Sequence, residues 1–386
     1  MDVASTRSSP RNRTREEIFR VIQSGGALTR AQLVEATGLS RSTVNHAVSR
    51  LVAEERVVEE DPEAKGPGSG SGRPAGVLRC VPGGGSSVAL DFGHTHIKVA
   101  VVDGTGRMLA RRSADLDVDL RASEAMDAAA DMLGELRAEH AVDDHATVVA
   151  GIPGPLDSAT GLVRSPTILS SWVGLDPGKE LERRLGLTVH VENDAVLGAY
   201  GELRCGAGQG YSDFLYVKAS HGIGAGMVLG GEPYRGALGF AGEIGHTPLP
   251  GYTELCRCGR RGCLEAVVSV ESVRAQIAHT RPGPFSGLSF GDGLDDDPTT
   301  WRILNDAGRI LGEVLSVLSN LLNPAAVIIG GELGAAGNAL LEGVATTVHR
   351  SAQPAIAASL DILPAQLGKD AELIGAAALA TVLARK

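Results

Sequence analysis

Three cysteines and a histidine crowd into one short stretch of this 386-residue chain, spaced His246-x9-Cys256-x-Cys258-x4-Cys263. No other feature restricts the local fold so strongly. Gly259 and Gly262 lie among these residues and let one loop turn back on a single ion. Zinc prefers a tetrahedral set of sulfur and nitrogen donors, and four protein ligands leave no open position, so the expected site is structural and not catalytic. Three structural thiols or a redox cluster are the alternatives. The remaining cysteines, Cys80 and Cys205, stand alone, which fits a reducing, cytoplasmic compartment better than a disulfide framework.

The rest of the composition is that of a soluble globular protein. Apolar residues make up 43% and charged residues 21%. Only 3% of residues are aromatic while 51 are glycine, so cores must be filled by aliphatic side chains and much of the backbone must run through tight turns. No run reaches the roughly 18 apolar residues of a membrane helix, and the Arg- and Ser-rich start lacks the apolar core of a signal peptide. The formal charge of −10 argues against a nucleic-acid partner only if it is evenly spread. It is not: residues 1–56 hold nine arginines against six acids, a net of +3, which leaves −13 for the remainder. A basic head on an acidic body implies two jobs.

Residues 1–13 read as a disordered tail and residues 14–80 as a winged helix-turn-helix. Thr14 and Glu17 form a capping-box pattern before the apolar Ile18, Val21 and Ile22, and Gly25-Gly26 stop that helix. Thr29 and Gln32 open a second helix, carrying Leu33, Val34 and Ala36, that ends at Gly38. A third follows in which Val44, Ala47, Val48, Leu51 and Val52 share a face. Its other face presents Arg41, Ser42, Thr43, Asn45, His46, Ser49 and Arg50, side chains that bond base edges and phosphates when a helix lies in the major groove. Arg41, Ser42, Thr43, Asn45, His46 and Arg50 are therefore the expected DNA contacts. A helical hairpin for protein contact is the alternative. Val57-Val58 and Val77-Leu78-Arg79 read as wing strands around the stretch AKGPGSGSGRPAG, where Arg73 is either a minor-groove arm or part of a flexible tether.

From Ser87 the pattern is α/β. A strand, glycine turn, strand, Asp-Gly turn and strand come first, then a helix over 122–140, a buried strand in ATVVAGIPGPL, and a strand ending at Glu192-Asn193-Asp194 that continues as a helix. DFLYVKASHGIGAGMVLGG repeats the opening unit in outline, as strand, glycine-bearing turn and strand, and a helix over about 299–322 leads to AAVIIGGEL and a closing helix after Glu372. Two similar halves, each opened by a hairpin with a glycine-rich turn, imply a cleft between duplicated lobes: lobe one about 87–193 plus the C-terminal helix, lobe two about 194–365, within a body spanning 87–386.

The motifs AGEIGH and CRCGRRGCLE, with ENDA, GIPGPL and VIIGGEL, resemble the ROK family, named for repressors, open reading frames and sugar kinases, across essentially the whole chain. The head resembles that of the family's repressor branch, related to regulators of xylose and N-acetylglucosamine genes. The resemblance implies an actin-like, ribonuclease H-like two-lobed body, a sugar in the cleft, and a homodimer or homotetramer. It also implies that Asn193, Asp194, Glu243, His246 and Glu265 contact sugar hydroxyls, with a zinc-bound His246 using its other ring nitrogen. Carboxylates and amides in a dry cleft suit that task. The alternative for Asp194 is a helix N-cap, and for Glu243 and Glu265 ordinary surface acids.

In the family's kinases the residue matching Asp194 is the catalytic base, and two glycine turns cradle ATP phosphates with Mg²⁺. Asp91 and Asp194 are kept here. The turns depart from the pattern. Around Asp91, Gly93, His94 and Thr95, a histidine replaces the usual second glycine; ahead of Gly222 and Gly224, His221 replaces the usual threonine. Both changes point away from use of ATP and Mg²⁺, unless protonated imidazoles bind phosphate instead. The expected function is therefore a sugar-responsive DNA-binding regulator, most simply a repressor of carbohydrate genes. The alternative is a glucokinase-like kinase carrying a regulatory head. Binding to DNA is expected to be salt-dependent and site-selective, since only the head meets phosphate.

Overall fold

The computed structural model describes residues 14–384 apart from 16, 20, 23–26, 55, 61–75, 82–84, 165–169, 281–289 and 291–296. The head contains strand β1 (Leu28–Thr29), helices α1 (Arg30–Thr37) and α2 (Arg41–Ala53), and strands β2 (Val57–Glu60) and β3 (Val77–Cys80). Thr29 and Gln32 close the capping box onto each other's backbone, and Gly38 ends α1 with φ 67°, a left-handed conformation that glycine adopts without strain. Ser40 caps α2 by accepting from the Thr43 amide. The core joins Ile18, Phe19, Ile22, Leu33, Val44, Val48 and Leu51 to Val57 and Leu78 of the antiparallel β2–β3 wing. Val52 departs from its expected place and is exposed. At 100° per residue it sits about 80° around the helix from Val44, off the edge of the buried stripe. Arg73 and the 1–13 tail lie outside the described residues.

The body is built from two five-stranded sheets of identical topology. In the first, β4 (Ser87–Phe92), β5 (His96–Val102) and β6 (Met108–Asp115) form an antiparallel meander. Helix α3 (Ala122–Glu139) then leads to β7 (Thr147–Ile152), parallel to β4, and α4 (Pro177–Leu185) to β8 (Val189–Asn193), giving the order β6-β5-β4-β7-β8. Helix α5 (Asp194–Cys205) follows. The second sheet repeats the scheme with β9 (Phe214–Ala219), β10 (Ile223–Leu229) and β11 (Glu232–Tyr234), ordered β11-β10-β9-β12-β13. Between β11 and β12 (Ala326–Gly330) come the cysteine loop, α6 (Leu264–Val268), α7 (Val270–His279) and the long α8 (Pro298–Leu322). Helices α9 (Gly331–Gly334), α10 (Asn338–Ser351) and α11 (Pro354–Ser359) precede β13 (Asp361–Pro364), and α12 (Ala371–Leu383) closes the described chain.

Helices α5 and α12 occupy corresponding places in the two halves and pack against each other between the sheets. Leu197 and Leu373 join the first sheet's core; Ala199 and Ala371 join the second's. The crossing is close because glycines face it. A Cβ on Gly201 would lie 2.5 Å from the Ala371 carbonyl oxygen, and one on Gly375 would meet the Leu197 carbonyl oxygen. Backbone cannot yield as a flexible side chain would, so Gly375→Val should force the helices apart. We expect a loss of about 1–3 kcal/mol, visible as a lowered thermal midpoint, against a small effect for Gly134→Ala, which meets nothing within 4 Å. An unchanged midpoint for Gly375→Val would contradict this packing.

Candidate functional site

The cysteine loop brings its four residues together. The donor atoms of His246, Cys256, Cys258 and Cys263 all lie within 4.8 Å of one another. Cys256 Sγ is 3.6 Å from His246 Nδ1, and Cys258 Sγ is 3.7 Å from Cys263 Sγ. Donors about 2.0–2.3 Å from a central ion in a tetrahedron stand about 3.5–3.8 Å apart, so the set has the spacing of a closed four-ligand metal site. Backbone bonds shape the loop: Cys256 N–H donates to the Arg260 carbonyl (2.8 Å), Gly262 N–H to Glu254 (2.9 Å), and Leu249 N–H to Gly262 (2.7 Å). Gly262 adopts φ 70°, and a Cβ there would collide with the Tyr252 carbonyl oxygen, so the place admits no side chain.

With Nδ1 turned to the sulfurs, His246 presents Nε2 toward Glu243, 3.8 Å from Oε2. Glu243 sits in the turn before His246, and Glu265 lies in the first turn of α6 immediately after the loop. Burial first, then the nearby charges of Asp194 and Glu265, push the Glu243 carboxyl up to about 7. Asp194, Glu243 and Glu265 therefore share one electrostatic neighbourhood. Glu265 Oε2 also accepts from the Ile223 amide (3.0 Å), tying the loop to the second glycine turn.

Asn193, and not Asp194, takes the N-cap that the sequence offered as the alternative role of Asp194. The cap of α5 is Asn193, whose Oδ1 accepts from the Val196 amide (3.1 Å) while its Nδ2 donates to the Gly154 carbonyl (3.1 Å). Asp194, the first helical residue, is thereby spared capping and points Oδ2 at Lys218 Nζ, 2.6 Å away. Asp91 in turn lies 3.2 Å from both His96 Nε2 and Lys98 Nζ, and its carboxyl is held well below the usual range despite its burial. Glu372 at the start of α12 completes the floor, 3.7 Å from Lys218. Sequence reasoning missed Lys218, Lys98 and Glu372. Alignment of the two halves could have found Lys218, because it is the fifth residue of β9 as Asp91 is of β4.

The two altered turns meet across the cleft. His94 and His221 have ring centroids 6.3 Å apart. Asp119 holds His94 Nδ1 at 2.7 Å, Glu271 lies 3.4 Å from His221 Nε2, and Arg257 of the cysteine loop reaches Asp119 at 3.4 Å. A Cβ on Gly222 would stand 3.3 Å from both His94 Nε2 and Glu265 Oε2. Both turns border a cavity of about 560 Å³, whose wall includes Gly93, Thr95 and Lys218. Gly224 lies beyond, in β10, with Ala195 of α5 against it.

In the head, Arg41, Ser42, Asn45, His46 and Arg50 are exposed on α2, while Thr43 is half-buried with its hydroxyl 2.8 Å from that of Ser40. Asn45 Oδ1 accepts from Arg30 (3.1 Å), which also pairs with Glu59 of the wing (2.7 Å). Arg79 pairs with Glu60. Part of the head's positive charge is thus neutralised internally by wing acids beyond residue 56. Among the described residues, no helix is long and apolar enough to cross a membrane.

Comparison with known proteins agrees with this layout. The ROK family matches residues 87–382, and a winged helix-turn-helix DNA-binding family matches residues 11–58. The xylose repressor of Bacillus subtilis is 29% identical over 364 residues, covering 93% of this chain and 92% of that protein. A ROK family transcriptional regulator, a homolog of the E. coli MLC protein, shares the fold with a TM-score of 0.69 at 24% identity, over 97% of this chain and 96% of its own. A ROK family glucokinase from Streptomyces griseus, solved with glucose and AMPPNP, has a TM-score of 0.65 at 29% identity, over 76% of this chain and 99% of its own. With a ROK match spanning both sheets, the cysteine loop and the cleft, this chain belongs to the ROK family.

Proposed function

We propose that this protein is a sugar-responsive, DNA-binding transcriptional repressor of carbohydrate genes, working in the cytoplasm as a homodimer or homotetramer. The carrying observation is one chain that joins an exposed recognition-helix face to a ROK body whose metal-capable loop sets Glu243, His246 and Glu265 beside Asp194. Similarity to the xylose repressor over nearly the full length supports this reading. Zinc is the metal we assign to His246, Cys256, Cys258 and Cys263, where it would act as a brace. Arg41, Ser42, Thr43, Asn45, His46 and Arg50 are the proposed DNA contacts, with Arg73 as a minor-groove arm. Val317 and Leu321, one turn apart on α8, are 57% and 73% exposed and suit a contact between copies. Sugar closure of the cleft would reorient paired heads relative to half-sites about one helical turn apart.

The test is selection of a preferred DNA sequence from a random pool, followed by binding measurements with and without D-xylose and D-glucose. A sugar-dependent change in affinity for the selected sequence, and not for random DNA, is expected. Equal affinity for both DNAs, or no response to any sugar in a broad panel, would overturn the reading. Retention of Asp194 favours a second reading, an ATP-dependent sugar kinase. We expect no turnover with ATP, Mg²⁺ and a hexose panel; turnover abolished by Asp194→Asn would establish the kinase instead.

A further inference from the structure

Three buried carboxylates lie about one half-buried ammonium, Lys218, which pairs with Asp194 and Glu372 and whose charge also reaches Asp91. Their arrangement follows the internal duplication. Asp91 is the fifth residue of β4 and Lys218 the fifth of β9, and each pairs with a glycine of the adjoining parallel strand, Gly151 or Gly330. Asp194 and Glu372 stand in the first turns of the corresponding helices α5 and α12. A position that is anionic in the first half is therefore cationic in the second, and each half supplies one further acid.

Separated from water, three carboxylates that close would repel one another strongly unless a cation joined them. The chain supplies its own. Lys218 Nζ contacts Asp194 Oδ2 at 2.6 Å and Glu372 Oε1 at 3.7 Å, while Lys98 bridges Asp91 (3.2 Å) and Asp370 (3.5 Å). These acids hold the Lys218 ammonium above its usual range against the effect of burial. Asp91 Oδ1 is buried and has no hydrogen-bond partner among the described residues, so the floor keeps an unused acceptor.

We propose that Lys218 is a resident counter-cation of the cleft floor: it fixes Asp194 as an ionised acceptor for a ligand hydroxyl and takes the place of a divalent cation among Asp91, Asp194 and Glu372. Lys218 is a positioning residue, acting on the ligand through Asp194. This deepens the sugar-sensor reading and rests on it for the hydroxyl ligand, whereas exclusion of the divalent cation stands apart from it.

The experiment uses the full-length, zinc-loaded protein and two readouts. Electron paramagnetic resonance titration with Mn²⁺ should reveal no cleft site in the wild type, one new site in Lys218→Met, and loss of that site in Lys218→Met/Asp91→Asn. Calorimetry with D-xylose and D-glucose should show the sugar bound by the wild type weakened about tenfold or more in Lys218→Met, as for loss of a charged hydrogen-bonding partner. Lys218→Arg, which keeps the charge, should restore most of that affinity and still exclude Mn²⁺. Should Lys218→Met fail to fold, Lys218→Gln, which keeps a polar side chain against the acids without the charge, must gain the same Mn²⁺ site. Wild-type sugar binding in Lys218→Met without Mn²⁺ uptake, or Mn²⁺ entry into Lys218→Arg, overturns the proposal. If the wild type binds neither sugar, the sensor reading loses its support while the Mn²⁺ readout still decides the role of Lys218.

Discussion

Cys256→Ser should abolish the stoichiometric metal content of the protein, lower its thermal midpoint by many degrees and remove measurable sugar binding. The loop from Thr247 to Cys263 has little else to hold it. Its buried apolar side chains are few, with Leu249 chief among them, and its backbone ladder is interrupted by the turns at Gly251, Gly259 and Gly262. A four-ligand site contributes on the order of 10 kcal/mol to the folding of small zinc domains, far above what those loop bonds supply. Glu243, His246 and Glu265 border this loop, so its disorder would move all three together. The same loop reaches Asp119 through Arg257 and the second glycine turn through Glu265, which carries the damage across the cleft. Metal analysis, thermal unfolding and calorimetry on one preparation check the expectation. A metal-free Cys256→Ser protein that keeps its midpoint and its sugar affinity would show that the loop needs no ion.

The readability of this chain varied with the range of the interactions involved. The capping pair Thr29 and Gln32, the Gly38 stop, the three opening strands of the first half and the first two of the second depend on residues within a few positions, and local chemistry announced them. The four-donor cluster was legible for the same reason, since its spacing alone brings the donors within reach. Long-range partners were not. Asn193 takes the cap and frees Asp194 through partners distant in sequence, Gly154 in the turn after β7 and Lys218 in β9. Helix α10, packed along α8 through Gly308, Gly312 and Gly343, and the short strand β13 carry weak local signals and exist through tertiary contact. Lys218, in a strand that begins FLYV, carries no local sign of its partners; the fold sets Asp194 and Glu372 against it.

Arg41→Ala with Arg50→Ala should cost DNA binding at least about tenfold while leaving sugar binding intact, and should reduce the salt dependence of binding by about two phosphate contacts' worth. Both arginines are exposed on α2, and among the described residues neither has an ion-pair partner that would hold it back from phosphate, unlike Arg30 and Arg79. Neither touches the buried face formed by Val44, Ala47, Val48 and Leu51, so the helix should survive. Asn45→Ala should behave differently. Its carbonyl oxygen already accepts from Arg30, which leaves the amide donors for a base edge, so the loss should be confined to particular base pairs of the selected sequence. Measured across salt concentrations, the arginine variant should show a shallower slope on all DNAs, while Asn45→Ala keeps the wild-type slope and relaxes discrimination. Equal salt slopes for wild type and the double arginine variant would move the DNA-binding surface away from α2, toward the Gly-, Pro- and Ser-rich segment that contains Arg73.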